Sequence, residues 1–256
     1  DCAFFECYGL ADENGLVIMN DVVQWCSDEA EGEVVIPDGI KRIARKAFMW
    51  RREITSIVIP EGVTSIGAYA FSNCSFLTST DIPATVRSIK RSAFENDLCL
   101  SNIVIPEGIA TIEEGAFRGC DALTEISLPN SLTQLGCEAF FNFENVGSIV
   151  IPKNITVINS GTFAYCRSLS SVTFPMNVEY IEIEYDAFEG CSSLGNIDCH
   201  DNITEIGAYA FKDCDSIDQA VLPSKLTKVS MRWESVIKHS PYLLPATAAG
   251  FAKRTA

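Results

Sequence analysis

The stretch Leu123-Thr124-Glu125-Ile126-Ser127-Leu128-Pro129-Asn130-Ser131-Leu132-Thr133-Gln134-Leu135-Gly136-Cys137-Glu138-Ala139-Phe140 decides the fold, because its landmarks recur along the chain. Proline falls at Pro37, Pro60, Pro83, Pro106, Pro129, Pro152 and Pro175 in steps of 23 residues, and again at Pro223. The missing member is His200, 25 residues after Pro175 and 23 before Pro223. Phenylalanine keeps the same beat at Phe48, Phe71, Phe94, Phe117, Phe140, Phe163, Phe188 and Phe211, with its one 25-residue step from Phe163 to Phe188. Both rulers therefore demand one two-residue insertion, expected between Ile181 and Ala187.

Each unit reads L-x-x-I-x-I-P-x-x-V-x-x-I-G-x-x-A-F-x-x-C. The segment before proline alternates apolar and polar residues, which marks a short strand with one buried face. Proline ends that strand because it has no N–H to give to a ladder. The V-x-x-I spacing then turns the chain and returns two side chains inward. Ala-Phe places a small and a large side chain on the opposite wall. One such unit cannot bury its own apolar face, so the units must stack, with like residues in columns. The expected fold is a repeat solenoid, a right-handed superhelix of short parallel β-strands joined by turns or short 3-10 segments.

The pattern divides the chain. Residues 1–10 read as a partial repeat, since Ala3-Phe4-Phe5-Glu6-Cys7 matches the end of a unit. About 11–36 reads as an inserted hairpin in which Leu16-Val17-Ile18 pairs back through Asn20-Asp21 to Val22-Val23. Regular repeats fill 37–229. Residues 230–256 are expected to form a helical C-terminal cap or linker, with Met231, Trp233 and Ile237 packing and Pro241 ending the first helix. A start inside a repeat predicts that the chain is part of a larger protein.

Segments such as Ile103-Val104-Ile105-Pro106, with Ile112 and Ala116-Phe117-Arg118-Gly119-Cys120, resemble the BspA-like leucine-rich repeats. The resemblance runs over residues 1–229. It implies a leucine-rich-repeat superhelix from a mostly bacterial family, cell-surface or secreted, used for adhesion or protein recognition. The departures are Thr80 and Ala220 for the first strand aliphatic, Cys199 for the second, and His200 for the proline.

Composition narrows the function. The net charge of −15 speaks against a nucleic-acid partner, because phosphate contacts need clustered Lys and Arg. No segment offers the roughly 18 consecutive apolar residues of a membrane-spanning helix, so no membrane insertion is expected. Cys7, Cys74, Cys120, Cys166, Cys191 and Cys214 each lie three residues after the repeat phenylalanine. One per coil makes a line, whereas zinc needs four ligands in one pocket; no metal is expected, and free thiols are expected at 74, 120, 166, 191 and 214. Cys199 and His200 are adjacent on a strand and should point to opposite faces, so they do not make a catalytic pair. Neither a G-x-S-x-G elbow nor a Gly-rich phosphate loop occurs, and no catalytic residue or cofactor is expected. Glu179, Glu182, Glu184, Asp186 and Glu189 gather near the insertion, where a solvated bulge is favoured over a calcium site.

What remains is surface. Counting two before each proline gives one outward lane: Val35, Val58, Asp81, Val104, Ser127, Val150, Thr173, Asp198 and Val221. This lane is the candidate contact face for a protein partner. The alternatives are a structural spacer and a regulatory arm of a larger multidomain protein.

Overall fold

The computed structural model describes residues 8–176, 178–197, 201–217 and 226–229. The expected cap, Cys7, Cys199, His200, Asp198 and Val221 lie outside them. The chain winds through about eight turns of a solenoid, and each turn contributes to three walls.

The first wall is the strand before each proline. Gly32–Val35, Ile54–Val58, Ser79–Asp81 and Asn102–Val104 form one parallel sheet, and Ser148–Val150, Ser171–Thr173 and Asn196–Ile197 another. Residues 124–128 pass between the two sheets without belonging to either, yet Ile126 is still buried while Glu125 and Ser127 are exposed. Alternation there puts Val34, Ile57, Ile103 and Ile149 inside. At Thr80 the hydroxyl replaces the aliphatic, and it donates to the Ile57 carbonyl at 3.0 Å, so a buried polar group is satisfied.

The second wall consists of two-residue strands at the V-x-x-I turn. Arg42–Ile43, Ser65–Ile66, Ser88–Ile89, Thr111–Ile112 and Gln134–Leu135 pair in parallel. Val157–Ile158, Ile181–Ile183, Ile203–Ile206 and Lys228–Val229 continue in a further parallel sheet. Leu16–Met19 and Val22–Cys26 form an antiparallel hairpin whose second strand pairs with Arg42–Ile43, closing that edge. Asn20 and Asp21 both have positive φ, as a two-residue type I′ turn requires. The insertion needs a correction: Glu182 already pairs with Val157, an offset of 25, so the extra residues lie upstream of it. Opposite the step from Ile181 to Glu182 the next coil carries one extra residue, Thr204, as a bulge, since Ile181 pairs with Ile203 and Glu182 with Glu205.

The third wall is built of turns around Ala-Phe. Here too the coils are joined by backbone hydrogen bonds, each repeat phenylalanine amide from Phe48 to Phe188 donating to a carbonyl one coil on: Phe48 to Ala70 (2.7 Å), Phe71 to Ala93 (2.8 Å), Phe94 to Ala116 (2.8 Å). The interior is the sum of three columns. The eight phenylalanine rings stack one on the next at centroid spacings of 5.1–5.6 Å, a little above the ~4.8 Å between strands.

Candidate functional site

The thiol line comes first, because it is the chain's most regular chemical feature. Cys74, Cys120, Cys166, Cys191 and Cys214 are free and buried. Each Sγ donates to the carbonyl of the repeat phenylalanine one coil back: Phe48 at 3.0 Å, Phe94 at 3.0 Å, Phe140 at 3.2 Å, Phe163 at 3.1 Å and Phe188 at 3.1 Å. Burial pushes the Cys74, Cys120 and Cys191 thiols well above their ordinary range. Off the line, burial pushes Cys26 up to about 12. A nucleophile or metal ligand must be a thiolate, so these groups are internal hydrogen-bond donors.

Three coils break the thiol line. Arg51 holds the slot in the first coil, with its Nε donating to the Cys26 carbonyl at 2.5 Å and Nη1 reaching Asp28 at 2.6 Å. Phe143 holds it in the fifth coil and meets Phe140 edge-on at 5.2 Å. Asp97 holds it in the third. One Asp97 oxygen accepts the Cys74 amide at 2.8 Å, and the other has no hydrogen-bond partner among the described residues. Desolvation pushes this fully buried carboxyl well above the usual carboxylate range.

Catalytic constellations are not brought together among the described residues. Both histidines, His200 and His239, lie outside them. No group of three or more His, Cys, Asp or Glu is placed to hold a metal ion among the described residues, the acidic bulge at 179–189 included. Within that bulge, Lys212 pairs with the largely buried Glu189 and, at 3.5 Å, with Asp213. Asp186 is pushed up to about 6, chiefly by desolvation and next by the Glu189 charge. An open depression of about 390 Å³ lies where Asp12–Gly15 meets the 27–34 segment, lined by Asp12, Glu13, Glu29, Glu31 and Glu33.

The lane on the first wall is exposed where the structure describes it. Val35, Val58, Val104 and Val150 are 42%, 46%, 57% and 65% exposed, and Asp81, Ser127 and Thr173 are exposed as well. Val35 pairs with Val58, Asp81 with Val104, and Val150 with Thr173, so these residues stand side by side on neighbouring coils. Ser127 sits in the segment between the two sheets. The beside-lying lane is small and polar, with Ser56, Ser79, Asn102, Ser148 and Ser171.

The third wall carries what the first lacks, and sequence reasoning missed it. Trp50 and Tyr185 are 49% and 50% exposed on its outer side. Arg52 lies 5.0 Å over the Trp50 ring, Arg45 5.5 Å over Tyr69, and Arg118 4.6 Å over Phe141. The signal was present in the two positions flanking Ala-Phe, but these vary from coil to coil and follow no period.

Comparison with known proteins agrees with this geometry. No curated protein matches the chain. A leucine-rich repeat protein from Bacteroides ovatus matches at 28% identity with a TM-score of 0.75, over 86% of this chain and 58% of that one. The T. pallidum leucine-rich repeat protein matches at 24% identity and TM-score 0.60, over 80% of this chain and 84% of that one. A leucine-rich repeat protein from Eubacterium ventriosum matches at 20% and 0.57, over 78% and 64%. The chain thus spans less than two thirds of the B. ovatus structure's length. The model of the BspA type leucine-rich repeat region matches residues 27–145, 87–184 and 156–233, in six copies. Its columns of Phe, Ala and Cys are the repeat of that family made physical, and the chain belongs to the BspA type leucine-rich repeats.

Proposed function

We propose that this solenoid is a non-enzymatic module for protein recognition or adhesion, and that it engages its partner with the strand face of the first wall. The observation that carries the reading is the line of valines, 42–65% exposed, held at fixed spacing on a hydrogen-bonded sheet. Valine suits a strand, but exposing several on one rigid face leaves apolar surface in water that a partner covering them would bury. Leucine-rich repeats generally serve protein interaction, which supports the reading. Placement at the cell surface or in secretion rests on the family resemblance. The described residues contain no helix long and apolar enough to cross a membrane.

The lane lacks Trp, Tyr and Arg, the usual anchors of tight contacts, so binding through it is modest for one module. A structural spacer, or a regulatory arm of a longer protein, is the second reading. Binding of the chain to a panel of secreted and surface proteins separates them. The double variant Val104→Lys/Val150→Lys should lose at least about tenfold in affinity with its thermal unfolding unchanged. Full binding by that variant excludes this face, and no binding by the parent chain leaves the spacer.

A further inference from the structure

Positive charge gathers in one place on this acidic chain, and we propose that there, on the outer side of the third wall over the first two coils, it receives a carboxylate-rich, aromatic-bearing segment of a partner protein. This face is separate from the valine lane of the first wall, and neither reading depends on the other.

The concentration starts in the sequence. Residues 39–52 hold Lys41, Arg42, Arg45, Lys46, Arg51 and Arg52 without one Asp or Glu, and residues 62–80, most of the next coil, hold no charged residue at all. Arg51 is buried and paired with Asp28. The other five are exposed, and none has a carboxylate within ion-pair distance among the described residues. Later coils mostly neutralise their cations, as Lys90 with Glu113, Arg91 with Glu114 and Arg167 with Glu144. Arg87 and Lys153 are exceptions, each a single exposed cation on its own coil.

The fold sorts the five cations between two walls. Lys41 and Arg42 lie on the second wall or at its edge. Arg45, Lys46 and Arg52 go to the third, where they meet rings: Arg45 lies 5.5 Å and Lys46 5.9 Å from the ring centroid of Tyr69 on the next coil, and Arg52 5.0 Å from that of Trp50. Trp50 itself is half exposed. A guanidinium laid on a ring keeps its N–H donors at the edge, where they can grip a carboxylate with two bonds. The ring also restrains the long side chain in advance, which lowers the entropy lost on binding. Trp, Tyr and Arg are the usual anchors of protein contacts, and the valine lane has none of them.

The patch is short. Glu95 and Glu114 bring acid back to this wall on the third and fourth coils, so the positive stretch covers roughly 10 Å of the axis at ~4.8 Å per coil. A long polyanion, whether nucleic acid or sulfated glycan, would run on from it over the carboxylates of a chain with net charge −15. A few carboxylates on a protein segment fit within it. With a screening length of ~8 Å at physiological salt, such a segment meets the patch rather than the distant acid.

A short synthetic peptide of alternating Glu and Tyr, titrated into the whole chain while the backbone amide resonances are followed, tests this. At about 0.05 M salt it should shift the resonances of the first two coils and bind with a dissociation constant of about 1 mM or below. Binding should weaken at least about fivefold at about 0.5 M salt, and at least about tenfold when Gln replaces Glu in the peptide. Arg45→Ala/Arg52→Ser and Trp50→Asn install what the next coil already carries at the same positions, Ala68, Ser75 and Asn73. Asn also tolerates the positive φ of Trp50. Each variant should bind at least about fivefold more weakly, whereas Lys153→Ser should bind as the parent does. If circular dichroism shows a variant misfolded, the salt series and the Gln peptide on the parent chain still decide. A parent that does not bind, equal affinity for the Gln peptide, shifts centred on other coils, or folded variants with full affinity overturn the proposal. So does a heparin oligosaccharide that binds the same two coils more tightly than the peptide, which would assign the patch to an anionic glycan.

Discussion

Three residues after each repeat phenylalanine, a side chain enters the core beside an unclaimed carbonyl from the coil before. A thiol suits that slot because it is small, tolerates burial and still donates. The regular spacing of the cysteines made this slot legible in the sequence, but not its exceptions, since Arg51 and Asp97 keep the spacing with a different residue type. Asp97 has the sharper consequence. Burial disfavours the charged form of its carboxyl and only one oxygen is satisfied, which holds it well above the usual carboxylate range. In the unfolded chain the same group loses its proton near pH 4. Above that pH the native state binds more protons than the unfolded state, so stability falls as pH rises toward the raised native value, by at most about 1.4 kcal/mol per unit. Asp97→Cys restores the line and Asp97→Asn removes the titration. Urea unfolding from mildly acidic to neutral pH should show both variants gaining on the parent as pH increases; parallel curves would mean that Asp97 is ionised in the fold.

At the scale of the element, the turns of the third wall obey a rule invisible in composition. In every coil the residues two before and two after the phenylalanine have positive φ, from Lys46 and Trp50 to Tyr209 and Asp213. Glycine fills only some of these places. Lys, Trp, Tyr, Ser and Glu fill others, against their steric preference, because the coil-to-coil hydrogen bonds fix the backbone. No local signal could announce that, whereas strand, proline stop and inward pair were readable from period and residue type alone. The two-residue strands of the second wall were too short to show alternation; only V-x-x-I marked them. Glycine is sterically required where coils approach most closely: a Cβ on Gly136 would stand 2.5 Å from the Glu113 carbonyl carbon and from the Glu114 nitrogen. Gly136→Ala should cost about 1–3 kcal/mol, as overpacking does. Gly147, with nothing within 4 Å of that position, should change by less than about 0.5 kcal/mol as alanine. Chemical denaturation of the two variants side by side checks this, and equal losses would place the close approach elsewhere.

Taken whole, the molecule is nearly one-dimensional, each coil contacting its neighbours through three walls and one column of rings. That is why so much of the fold was legible: a repeat states its packing rule in every coil, and errors in one are corrected by the next. The surface was legible only in part. Val35, Val58, Val104 and Val150 could be placed on one lane because strand alternation dictates it. The aromatic outer side of the third wall could not, because exposed positions are free to vary and carry no period. Everything else depends on the coils being in register. Residue-resolved amide hydrogen exchange measures this most directly, since Phe94, Phe117, Phe140, Phe163 and Phe188 each donate across a coil boundary at 2.8–2.9 Å. The account predicts slow exchange at each of these amides, recurring every 23 residues except for the single longer step after Phe163. Fast exchange at the repeat phenylalanines, or protection grouped in one continuous segment with no such recurrence, would contradict it.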